Sequence, residues 1–95
     1  TASIKISHNH FTTNSNVSFP IIGEQSNGTG GFGLIVDDNI AVCNGTNSYA
    51  FIQLGGNIKR ATVTGNKVYG CTTFSIDNGS STVFANNYKD GVATP

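Results

Sequence analysis

The chain has no methionine and no tryptophan, and only two cysteines and two prolines among its 95 residues. Good helix formers are few and no stretch repeats apolar residues at helical spacing, so no helix is expected. No apolar run approaches the roughly 20 residues of a membrane-spanning helix, and no charged-then-apolar start resembles a signal peptide. Charge is sparse and balanced, with Lys5, Lys59, Arg60, Lys67 and Lys89 against Glu24, Asp37, Asp38, Asp77 and Asp90. Displacing the counterions of a phosphate backbone takes clustered Lys and Arg, so neither nucleic acid nor membrane insertion is an expected partner.

What is present is a strand-and-turn composition. Asn, Thr, Ser and Gly supply 44 of the 95 residues, and Val, Ile and Phe fall in short alternating runs between the polar clusters. Such runs read as half-buried strands separated by tight turns. The length allows one domain, residues 1–95, with a modest core if it folds as a lone globule.

A pattern of apolar, two residues, Asn, one residue, apolar occurs four times. It reads Ile6-Asn9-Phe11, Val36-Asn39-Ala41, Val63-Asn66-Val68 and Val83-Asn86-Tyr88. Asn9, Asn39, Asn66 and Asn86 are thus assigned to corners between strands, where Asn tolerates a left-handed backbone and its amide can bond neighbouring main chain. Phe19, Phe51 and Phe74 each follow their Asn at a similar distance. In the first repeat, Val17-Ser18-Phe19-Pro20-Ile21 reads as a second strand whose proline belongs at an edge, near a boundary of the structure. Glu24 to Gly33 reads as a turn-rich connector, and the fourth repeat ends at Lys89-Asp90-Gly91 with no further strand expected.

A repeat of 20 to 30 residues with short strands and no helix cannot bury its own apolar face and must stack on copies of itself. The expected fold is all-β, a right-handed parallel β-helix of three to four coils with Asn ladders at the corners; a β-sandwich is the alternative. Cys43 and Cys71 follow their corner Asn by four and five residues. Adjacent coils are close enough for a disulfide, but two buried free thiols are the expectation.

The motif Ile-x-Ile-x-x-Asn-x-Phe of Ile4 to Phe11, repeated over Ala61 to Val68, resembles the coils of the pectate-lyase-like parallel β-helix superfamily. The Asn-, Thr-, Gly- and Ser-rich coils and the short last repeat are most similar to the C-terminal region of bacteriophage tailspikes and tail fibres. That resemblance implies a C-terminal fragment of a longer protein, a homotrimer, attachment to bacterial surface polysaccharide and often its cleavage, located in the virion or otherwise extracellular. Phe32, Tyr49, Phe84 and Tyr88 are the aromatics available to a trimer interface, with the core as the plainer place for each.

Cleavage of a glycosidic bond takes two carboxylates facing one sugar, and Glu24, Asp37 and Asp38 are the only candidates. Neighbours on a strand point to opposite faces, so Asp37 and Asp38 are read as solvated turn residues. Asp77 and Asp90 precede Asn-Gly and Gly and read as turn formers. His8 and His10 flank Asn9 without a third ligand, so no metal and no cofactor are expected. The sequence therefore points to a recognition module, with Tyr49, Tyr69 and Arg60 as candidate carbohydrate-binding residues, and a polysaccharide hydrolase or lyase as the alternative.

Overall fold

The computed structural model describes residues 3–13, 20–23, 33–44, 50–56 and 58–94. Most of the expected Val17 to Ile21 strand, with Phe19, and nearly all of the Glu24 to Gly33 connector lie outside them. The described residues form strands and turns and no helix. Each passage of the chain lays down three short strands. They are β1 (Ser3–Ser7), β2 (His10–Thr13) and β3 (Ile22–Gly23), then β4 (Gly33–Asp37), β5 (Ile40–Cys43) and β6 (Ala50–Leu54), then β7 (Thr62–Thr64), β8 (Lys67–Tyr69) and β9 (Thr73–Asp77). The last passage gives β10 (Val83–Ala85), β11 (Asn87–Lys89) and β12 (Val92–Thr94).

Equivalent strands of successive passages pair in parallel, giving a first sheet β1-β4-β7-β10, a second running β2-β5-β8-β11-β12 and a third β3-β6-β9. Antiparallel pairing, which a β-sandwich would need throughout, is confined among the described strands to β11 with β12. The sequence dictates this arrangement because no single passage has a second layer against which to bury its apolar face; the next passage supplies it. Ile6, Val36, Val63 and Phe84 share one inward column, with Val36 and Val63 fully buried. Phe51 and Phe74 pack with ring centroids 5.4 Å apart, and Phe84 meets Phe74 edge-on at 6.5 Å. Phe84 is therefore a core residue.

The corners show why Asn is required and where the sequence pattern misplaces it. Left-handed φ belongs to the residue before the Asn, at His8, Asp38 and Gly65. In the fourth passage that residue is Asn86, at φ 57°, while Asn87 is fully buried and stands in register with Asn66. Asn86 thus holds the corner itself, between β10 and β11 with a left-handed backbone, and the ladder position falls to Asn87. A one-residue slip exchanges the two faces of a strand, and Val83 and Tyr88, placed in the repeat by the pattern, are exposed, whereas Phe84 and Asn87 point inward.

Asn39, Asn66 and Asn87 are buried amides, and burial without partners would cost each about 1–3 kcal/mol or more. Each instead lies in a repeated scheme. Asn39 donates its N–H and Nδ2–H to Asn66 Oδ1 at 3.0 and 2.9 Å, and Asn66 donates the same pair to Asn87 Oδ1 at 3.0 Å each. The Nδ2 groups also reach back to the preceding passage: Asn39 to the Ile6 carbonyl, Asn66 to that of Val36, Asn87 to that of Val63.

Two further expectations change. Cys43 and Cys71 form a disulfide between the second and third passages, with Cα atoms 4.9 Å apart, rather than two free thiols. Gly70 allows this approach, since a Cβ there would collide with the Cys43 carbonyl and its φ is +79°. The chain also does not stop at Gly91. Asp90 and Gly91 have φ of 52° and 82°, as a two-residue type I′ turn requires, and return the chain as β12 along β11. Beside this turn Lys89 takes the position after Phe11, Ala41 and Val68 in an otherwise apolar column, its Nζ 3.0 Å from Asp90 Oδ2. A charge at an inward position and a reversed last strand together close the second sheet at this end.

Candidate functional site

Strand alternation gives the second sheet an outward face built from residues that its inward neighbours hold in place. Ala41 and Val68 are fully buried, which fixes Ile40, Val42, Lys67 and Tyr69 on the other side. Register then assembles two outward rows, His10-Ile40-Lys67-Tyr88 and Thr12-Val42-Tyr69. Tyr69, Tyr88 and Ile40 are each about two-fifths exposed, at 43, 40 and 41 %. Strand spacing and rise place the Tyr69 and Tyr88 backbones about 8 Å apart on neighbouring strands.

One edge of this face is electrostatically tuned. Asp90 Oδ1 accepts the Gly70 N–H at 2.8 Å, next to Tyr69 in the chain, while its other oxygen meets the Lys89 ammonium. The Gly70 N–H first, and then Lys89, hold the Asp90 carboxyl below its ordinary value of 3.8. Asp90 thus accompanies Tyr69 as a fixed anion. The arrangement offers two apolar ring faces, a cation and hydroxyl and amide hydrogen-bonding groups on one shallow surface.

The other candidate residues are dispersed. Asp37, at the end of β4, shares an outward row with Ser7, Thr64 and Ala85, and its Oδ1 is buried without a hydrogen-bond partner among the described residues. Asp38 sits at the corner, exposed, with Oδ2 3.5 Å from His8 Nε2. Asp77 accepts the Gly79 N–H at 2.9 Å, a local turn bond. Arg60 has left-handed φ at the corner between the third and first sheets, so it does not share the second-sheet face with Tyr69. Glu24, Tyr49 and Phe32 lie outside the described residues. Among the described residues no three His, Cys, Asp or Glu side chains converge as metal ligands, and no helix is long and apolar enough to cross a membrane.

The repeat pattern left Tyr88 between core and interface because it gave Asn86, rather than Asn87, the ladder position. The signal that identifies Asn87 is the residue preceding each ladder Asn, which must accept φ > 0; Asn86 fits that position beside Asp38 and Gly65. Comparison with protein-family models, curated proteins and solved structures gives no match.

Proposed function

We propose that the chain is a non-catalytic recognition segment of an adhesin, a short right-handed parallel β-helix that assembles as a homotrimer and attaches to bacterial surface polysaccharide. The observation that carries this reading is the pair of exposed tyrosines, Tyr69 and Tyr88, on adjacent strands of one face with Lys67 beside them. Sugar rings present C–H faces that stack on aromatic rings and hydroxyls that bond amide, ammonium and carboxylate groups, and this surface supplies both. The right hand follows from the rule for parallel crossover connections. Side-by-side association has apolar surface to bury at Ile35 and Val83, which share an outward row of the first sheet and are 40 and 54 % exposed.

Disulfides are rare in cytosolic proteins and persist in oxidising surroundings. The Cys43–Cys71 bond favours an adhesin that folds in an oxidising, extracellular setting.

Binding and turnover are tested together on purified bacterial surface polysaccharides. The reading expects saturable binding without release of reducing or unsaturated ends, weakened about 2- to 10-fold by Tyr69→Ala or Tyr88→Ala. Binding indifferent to both substitutions, or product release, contradicts it. Light scattering checks the assembly against three times the 9.9 kDa chain mass.

A further inference from the structure

The two exposed tyrosines of the second sheet have unlike electrostatic surroundings. Tyr88 stands in register with Lys67 on the neighbouring strand, and both are exposed. Among the described residues Lys67 has no ion pair, so its ammonium is an unengaged cation on that row. Tyr69 is instead bracketed by Asp90, whose N–H donates to the Val68 carbonyl and whose Oδ1 accepts the Gly70 N–H, each at 2.8 Å. The cation at that place is already engaged, with Lys89 Nζ 3.0 Å from Asp90 Oδ2.

These surroundings suit different sugars. An acidic sugar laid on Tyr88 brings its carboxylate to an ammonium that has no other partner. The same sugar on Tyr69 meets the Asp90 carboxylate with no cation left to receive it, and like charges repel. A neutral sugar fits Tyr69, because its hydroxyls donate to a carboxylate that remains half exposed and keeps unused lone pairs. The Gly70 N–H and Lys89 hold Asp90 ionised, and therefore purely an acceptor. With the two backbones about 8 Å apart, neighbouring sugars of one chain can meet both tyrosines.

Resting on the polysaccharide reading above, we propose that this face selects a glycan in which acidic and neutral sugars alternate, the acidic sugar over Tyr88 and Lys67 and the neutral one over Tyr69 and Asp90. Lys67 and Asp90 then determine specificity, and Lys89 acts through Asp90 as a positioning residue. A polymer of acidic sugars alone is disfavoured, because one of its carboxylates faces Asp90. A neutral polymer escapes that repulsion but gains nothing from Lys67.

The test titrates the intact protein at low salt with three oligosaccharides of equal length. One alternates glucuronate with N-acetylglucosamine, the second is the same compound with its carboxylates reduced to alcohols, and the third is oligomannuronate. NMR shifts of the Tyr69 and Tyr88 rings report whether the face is occupied. The alternating oligosaccharide is expected to bind about 2- to 5-fold more tightly than either of the others, the range of an exposed ion pair. Lys67→Gln removes its advantage over the reduced form. Asp90→Asn, which keeps an oxygen for the Gly70 N–H, raises oligomannuronate binding about 2-fold or more. A substitution that merely disturbed the fold would weaken all three together. Equal binding of the alternating and reduced forms, or tightest binding of oligomannuronate, overturns the proposal and leaves the polysaccharide reading standing. No shift of either tyrosine with any of the three overturns both.

Discussion

Asn66 gives both its backbone N–H and its side-chain Nδ2–H to one atom, Asn87 Oδ1, at 3.0 Å each. That double donation ties the fourth passage to the third through a fully buried amide, and it is repeated by Asn39 on Asn66. A corner of the chain, ordinarily where backbone meets water, is here a continuous polar thread inside the protein.

Removing the middle of the thread leaves partners stranded on both sides. Asn66→Ala deprives the Asn39 N–H and Nδ2–H of their acceptor and the Val36 carbonyl of its donor. Urea unfolding is expected to show a loss of about 2–4 kcal/mol. Asn9→Ala, at the exposed end, is expected to cost less than about 1 kcal/mol. Equal effects would mean that the ladder contributes nothing beyond a local turn.

Much of this architecture is legible in the residues. Val63-x-x-Asn66-x-Val68 states strand, corner and strand directly, and the inward column follows. The fourth passage is not, because Asn86 and Asn87 stand in tandem: Val83 and Tyr88 complete an apolar pattern around the first, while the correct frame ends in Lys89, a charge at an apolar position. Local pattern favours the wrong frame; the need for a left-handed residue before each ladder Asn decides the right one. Tyr69 is named from the sequence as a surface candidate, but its pairing with Tyr88 is not legible, since Tyr88 in the wrong frame points inward. The disulfide depends on the stacking offset between passages, which spacing along the chain narrows without fixing.

Reduction of Cys43–Cys71 releases a loop with a sequence separation of 28 residues. Chain-entropy reasoning gives about 3.5 kcal/mol for such a loop. The Cys43→Ser, Cys71→Ser double variant is expected to melt more than about 10 °C below the oxidised protein. An unchanged midpoint would show that the bond does not constrain the unfolded chain.

Thr82 follows Ile4, Leu34 and Ala61 in an inward column, and its Oγ1 is buried without a partner among the described residues. Thr82→Val keeps the shape and removes the stranded hydroxyl, so a gain of about 1 kcal/mol in urea unfolding is expected. A loss would mean that the hydroxyl is satisfied in solution.

The Asp90 carboxyl is held below 3.8 by the Gly70 N–H and by Lys89. A depressed folded value means that its stabilisation is present above the ordinary carboxylate value and is lost as pH falls through the folded one. Carboxyl NMR should place its midpoint below 3.8, and Asp90→Asn should flatten the acid end of the stability profile. A midpoint at or above 3.8 would remove the Gly70 contact from the account.

Hydrogen exchange at the backbone amides of Asn39 and Asn66 tests the stacked, registered ladder most directly. In an isolated turn these amides face water and exchange within the time of local fluctuation. Bonded to the next passage's Asn Oδ1, they are expected to exchange only through opening of the stack, at rates close to those of the core amides of β4 and β7. Exchange as fast as that of an open turn would contradict the ladder and the fold built around it.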